Sequence, residues 1–240
     1  MRRFAQAIAD PDQVDAALPS VIAQAVAEAP DRYNIGKTRP ASTLVMTQER
    51  VVILADMVWG LVPRWSTEPA TRYTTVTARL ERAPKSRIFA QAWRERHCLV
   101  PMSGYFKWDR QRKPAWPHFI QRRDGGALMA AGLWERWEGE DGAFFHSFTL
   151  LTAPNLAIPP PLTQDGPVFL KGQSALRWLS GSISSTRSLM RHADAPALES
   201  YPVSRAIASA DVDDYTLLEP VEPDEKVPGA AEDEEAWDDD

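Results

Sequence analysis

Cysteine is nearly absent: Cys98 is the only one in 240 residues. That excludes an internal disulfide and any metal site built from several thiolates. No apolar run approaches the roughly 20 residues that a membrane helix needs, and Met1 to Gln6 leads into no sustained apolar stretch of the secretory kind. The four histidines, His97, His118, His146 and His192, lack metal-ligand spacing and default to structural roles. A phosphate-binding glycine loop, HExxH, GxSxG and CxxC are all missing. What is left is a chain with no membrane span, no metal and no cofactor, expected in a reducing cytoplasm and beside the nucleoid if bacterial.

With 44% hydrophobic and 25% charged residues the composition is that of an ordinary globular chain, long enough for one large domain or two small ones. The net charge of -6 averages two unlike regions. From Asp211 to Asp240 there are 14 acidic residues against one basic residue, Lys226, whereas the remaining 210 residues carry 26 basic and 19 acidic groups. A basic body with an acidic end points toward a polyanion partner or a mimic of one, with a solubilising tail as the plainer reading. Residues 223–240 hold no core-forming pattern and are predicted to be a disordered acidic tail behind a domain spanning 1–222.

Apolar spacing predicts a helix or two from Val14 to Glu28, bracketed by Pro11 and Pro30, and a helix again from Pro84 to Arg96. Arg32 to Gly36 is turn-prone. Strand-type runs cover Ser42 to Thr47, Val51 to Ala55, Met57 to Val62, Cys98 to Val100, Tyr105 to Trp108, His118 to Arg122, Leu128 to Trp134 and Phe144 to Thr152. Further strands are expected at Pro167 to Leu170 and Leu217 to Val221, with helices around Leu176 to Leu179 and Ser185 to Arg191. Strands in series with helices at the flanks give an α+β class: a mostly antiparallel sheet or barrel with flanking helices.

Several ordered segments carry more information than any one alone. They are Arg32-Tyr33-Asn34-Ile35, Trp59-Gly60-Leu61-Val62-Pro63-Arg64-Trp65, Ala78-Arg79-Leu80-Glu81, Cys98-Leu99-Val100-Pro101 and Gly104-Tyr105-Phe106-Lys107-Trp108. Ala131-Gly132-Leu133-Trp134-Glu135, Leu150-Leu151-Thr152, Pro167-Val168-Phe169-Leu170, Tyr201-Pro202-Val203-Ser204 and Leu218-Glu219-Pro220-Val221 complete the set. Together they resemble the SOS-response-associated peptidase (SRAP) domain over about residues 1 to 222. The resemblance implies a single α+β domain that recognises abasic sites in single-stranded DNA. It also implies a mechanism, in which an N-terminal cysteine attacks the ring-opened sugar aldehyde and closes a thiazolidine crosslink, assisted by an Asn, a Glu and a His.

Each of those positions is changed here. Arg2 stands for the cysteine and is too bulky for ordinary removal of Met1; Thr77 stands for the Asn, Lys107 for the Glu, and Thr163 for the His. A thiazolidine needs a thiol and an amine on adjacent carbons, and Arg2 has no sulfur. Lysine inverts the charge of an acid/base carboxylate, and threonine has no ionisable group near neutral pH. The resemblance does carry over binding equipment: Arg79 and Arg87 match phosphate-holding positions, and Trp65 and Trp108 match aromatics of the DNA cleft. Lys107 adds a further cation, and Arg82, Lys85, Arg94, Arg96, Arg110, Arg112 and Lys113 add charge nearby. Trp93, Trp134 and Trp178 are assigned to the core.

Three readings follow. In the first, the chain is a pseudoenzyme that binds single-stranded or abasic DNA without crosslinking. A second keeps amine chemistry, with the α-amine of Met1 or Lys107 forming an imine and driving lyase-like elimination. The third makes the chain a protein-binding scaffold, its acidic tail acting as DNA mimic or gate. A peptidase for external substrates has no Ser or Cys beside a candidate base.

Overall fold

The computed structural model describes residues 1–71 and 73–223; beyond Pro223, the expected acidic tail lies outside the described residues. In chain order the elements are β1 (Arg3–Gln6), α1 (Ser20–Ala27), β2 (Arg32–Ile35), β3 (Pro40–Met46), β4 (Val52–Trp59), β5 (Thr77–Arg79) and α2 (Ala90–Glu95). They continue with β6 (His97–Met102), β7 (Gly104–Asp109), β8 (Trp116–Arg122), β9 (Leu128–Glu138), β10 (Phe144–Pro154), β11 (Asp165–Pro167), α3 (Gly172–Leu179), α4 (Thr186–His192) and β12 (Leu198–Pro202). The α+β class with a mostly antiparallel barrel is what the structure has.

Five strands close a ring, in which β4 pairs β3, β3 pairs β6, β6 pairs β9, β9 pairs β10, and β10 returns to β4. Closure removes the open edges that would otherwise template aggregation. Strand β10 outruns its ring partners. Its later residues pair instead with β5, in parallel, and with β11, antiparallel. A second sheet, in the order β12-β8-β7-β1-β2, packs beside the ring.

The period-2 alternation of β-strands divides the core. On β6, Leu99 enters a cluster with Leu44, Leu133 and Trp178, under the helices. Its neighbours Cys98 and Val100 turn the other way, into a cluster with Phe4, Trp59, Tyr105 and Phe148 between the sheets. A third, smaller cluster, around Phe106 and Phe119, lies on the outer face of the second sheet. Gln6 ties the layers together: its amide donates to the Ser42 and Pro101 carbonyls, and its oxygen accepts from the Ser42 N–H. His97 stacks on Trp178 with ring centroids 3.8 Å apart, a packed histidine as expected.

Several expected elements differ. The helix expected from Val14 starts only at Ser20, because Pro19 sits in an extended conformation ahead of it. Pro84 to Arg96 breaks into a 3-10 turn at Ala83–Lys85 and α2, with extended backbone at Ser86 between them. Val51 to Ala55 and Met57 to Val62 are one strand ending at Trp59, not two. The turn-prone Arg32 to Gly36 is largely strand β2, since Ile35 and Arg32 pair with Phe4 and Gln6. The strand expected at Leu217 to Val221 is a 3-10 turn, Tyr215–Leu218, followed by a single bridge from Pro220 to Val203. Pro167 to Leu170 keeps strand pairing only at Pro167 and in bridges of Phe169 to Ala130 and Asp194.

Candidate functional site

Pairing register sets which predicted residues face one another. In the ladder between β1 and β7, Phe4 pairs Tyr105 and Arg3 pairs Phe106, so continuing outward sets Arg2 opposite Lys107. Lys107 shares a face with Tyr105 two residues earlier, the face of the cluster between the sheets, and Met1 packs against that same cluster. Thr77 pairs Leu150 of that cluster, so Thr77 and Arg79 lie on the corresponding face of β5 while Ala78 turns to the helix side. On β10, Thr152 has Arg79 on one side and Pro167 of β11 on the other.

Lys107 is buried, and its Nζ donates to the Asp165 carbonyl at 2.5 Å. Burial lowers its pKa; the Asp165 charge opposes this and Arg110 adds to it. The Met1 amino group lies in the same surroundings. Burial first, then the Lys107 charge, hold its pKa down to about 6 against the pull of Asp165, with smaller depressions from Arg2 and Arg110. The position that the resemblance gives to a glutamate is therefore the centre of a cluster of amines and guanidiniums around one carboxylate. Arg2 itself is exposed, and Thr163 is exposed two residues ahead of β11.

Tyr105 and Asp165 were not among the sequence candidates. The Tyr105 hydroxyl is fully buried without a hydrogen-bond partner, and burial and Asp165 raise its pKa. It points at β11, 3.4 Å from where a Cβ on Gly166 would sit. Strand alternation with Lys107 was the available signal for Tyr105; Asp165 comes close only because β11 pairs with the end of β10.

The aromatic and basic candidates divide. Trp65 is 45% exposed, its indole N–H donates to the Arg87 carbonyl at 3.3 Å, and the Arg87 guanidinium lies 4.6 Å over its ring. These two predicted residues, 22 apart in sequence, form one unit. The loop that presents them is clamped by β9: Trp137 donates to the Ser66 carbonyl at 2.9 Å. Trp108 lies on the opposite face of β7 from Lys107 and packs, half-buried, against the Phe106 and Phe119 cluster. Lys107 and Trp108, adjacent in sequence, thus serve different surfaces.

Other features of the surface offer less. A cleft of about 510 Å³ is lined by Asp10, Asp12, Asp15 and Asp124 with Arg122 and Lys171, too acidic a wall for a polyanion. Among the described residues no group of His, Cys, Asp and Glu is placed to hold a metal, and no helix is long and apolar enough to cross a membrane. Cys98 is fully buried, and burial alone drives its thiol pKa well above the ordinary range. A thiol reagent should leave the native chain unmodified and label it fully once denatured; equal labelling in both states would contradict this burial.

A family model described as SOS response associated peptidase (SRAP) matches residues 2–210. The chain belongs to that family. It is 26% identical over 200 residues to the abasic site processing protein YedK of Escherichia coli, which covers 79% of this chain and 85% of that protein. To the abasic site processing protein YMR114C of Saccharomyces cerevisiae it is 38% identical over 123 residues, half of this chain but only 32% of that longer protein. Among solved structures, a protein from Bacteroides thetaiotaomicron superposes with a TM-score of 0.73 at 17% identity, covering 91% of this chain and 99% of the other. That likeness shows a shared fold, and the family match spans the ordered motifs from Arg32 to Ser204.

Proposed function

We propose that this SRAP chain binds single-stranded DNA, abasic sites included, without forming a thiazolidine crosslink. The observation that carries the reading is the cation cluster at the altered positions. Lys107 and Arg110, with Arg2 near the Met1 amine, share these surroundings with Asp165, where the family resemblance implies a thiol and a carboxylate. Its relatives are named abasic site processing proteins, which supplies the substrate class.

Phosphate contacts come from Arg79 and Arg87, and stacking from Trp65, whose face is already held by Arg87. Aromatic platforms beside basic side chains suit unpaired strands, since every base has a face to stack. Thiazolidine formation has no thiol to use: Arg2 has no sulfur, and Cys98 is sealed in the core.

A gel shift on single-stranded oligonucleotides, with and without one abasic site, tests the reading over a salt series. Affinity should fall with salt, with a logarithmic slope of about 0.7 per phosphate contacted. Without reductant, the mass of the protein should be unchanged after incubation with the abasic oligonucleotide. Absent or salt-independent binding, or a stable crosslink, overturns the reading.

A further inference from the structure

We propose that Lys107 captures the aldehyde of a ring-opened abasic sugar as a reversible imine, with the Tyr105 hydroxyl, on the same face of β7, as hydrogen-bond donor. This rests on the reading of the chain as an abasic-DNA binder and goes beyond it by assigning covalent chemistry to a lysine that stands where the thiazolidine mechanism uses a glutamate.

Three observations converge on the same few ångströms. Lys107 is a buried amine whose hydrogen-bond acceptor is a neutral backbone carbonyl, that of Asp165. A lysine serves as a nucleophile only when unprotonated, and desolvation next to another cation is the general way to reach that state. Burial and Arg110 both act in that direction. The second observation is Tyr105, on the same face of β7 two residues away. Its hydroxyl is buried without a hydrogen-bond partner, an unmet donor that a bound oxygen would satisfy. Finally, both side chains reach the same segment: the amine bonds Asp165, and the hydroxyl faces Gly166. A Cβ on Gly166 would stand 3.4 Å from that hydroxyl and 2.7 Å from Ile158 Cδ1, so only glycine lets this segment pack so closely beside Tyr105.

The step balances within these groups. The neutral Nζ forms a bond to the aldehyde carbon, and one of its protons passes to the carbonyl oxygen to give a carbinolamine. The second nitrogen proton then passes to that hydroxyl, which leaves as water, and a C=N bond replaces C=O. Addition of water reverses the sequence and restores both aldehyde and lysine. Tyr105 supplies a hydrogen bond to the oxygen as it changes from carbonyl to hydroxyl to water, and a phenol kept from ionising is suited to donate it.

The test uses the full chain and an oligodeoxynucleotide carrying one abasic site, with borohydride added to reduce any imine to a stable amine. Peptide mass mapping should place the adduct on Lys107, with yield rising with pH at values below those of an ordinary lysine. Lys107→Arg, which keeps the charge but cannot form an imine, should abolish the adduct, and Tyr105→Phe should lower its rate of formation at least several-fold. An adduct on the Met1 amine or on another lysine overturns the assignment. So does an absent adduct when the same wild-type preparation retards the unreduced oligonucleotide in a gel, an outcome that leaves the binding function standing. No retardation and no adduct removes both.

Discussion

Replacing Arg96 with alanine is expected to destabilise the fold by about 3–5 kcal/mol, the cost of leaving a buried carboxylate without its partner. Glu135 on β9 is only 3% exposed at its side chain, and Arg96 reaches it at 2.6 Å while also holding Glu95 at 2.9 Å. Burial raises the pKa of Glu135 above the ordinary carboxylate range; Arg96 is the first of the groups that oppose this, with Arg64 and its N–H after it. The sign of the pH dependence follows. Between its unfolded and folded pKa values the folded chain holds more protons at this site, so its contribution to stability is largest at low pH and is lost as pH rises through the folded value. Removing Arg96 raises that value further, so the loss extends to higher pH in the variant. Urea midpoints measured between mildly acidic and neutral pH check this: the gap between wild type and Arg96→Ala should widen as pH rises. Arg96→Ala/Glu135→Gln should regain a large part of the lost stability, since the amide carries no charge to strand. A variant with a wild-type midpoint throughout would mean that this ion pair contributes nothing.

Strand β9 carries both Glu135 and Trp137, and the Trp137 indole donates to the Ser66 carbonyl of the loop that presents Trp65. The sequence reveals part of this arrangement. Largely apolar runs such as Leu128 to Trp134 and Phe144 to Thr152 announce strands β9 and β10, since both faces of these strands are mostly buried. Short strands fare worse. Arg32 to Gly36 has turn chemistry, and only its long-range pairing with Phe4 and Gln6 makes it extended. Pairing of that kind leaves no local trace.

Site residues divide along the same line. Trp65, Arg79 and Lys107 stand inside the ordered motifs, which is what made them candidates in the sequence, and Arg87 lies between two of those motifs. Lys107 and Trp108, neighbours in one motif, still face apart because a strand alternates. Tyr105 was hidden by its apolar setting, where a tyrosine reads as core, and its unpaired hydroxyl is visible only once packing is known. Asp165 joins the site through the antiparallel pairing of β11 with Thr152 to Pro154, which no local pattern announces.

Trp65→Ala is expected to weaken binding to single-stranded DNA by about 5- to 150-fold, the equivalent of one lost base stack at ~1–3 kcal/mol. The side chain is nearly half exposed and contributes its indole N–H to a carbonyl at the margin of hydrogen-bond range, so the folded chain should lose little. The urea midpoint of Trp65→Ala should accordingly stay close to wild type. Arg87→Ala acts differently. It removes a cation from the ring and from the phosphate backbone, so the slope of affinity against salt should flatten by about 0.7 as well as the affinity falling. Trp108→Ala supplies the contrast: its half-buried ring packs on the Phe106 and Phe119 cluster, and the substitution should lower stability more than Trp65→Ala does. Binding measured at several salt concentrations, with midpoints taken on the same preparations, separates the three variants. If Trp65→Ala binds as tightly as wild type while remaining folded, Trp65 is not a stacking platform, and Arg87 lies over it for reasons of local packing alone.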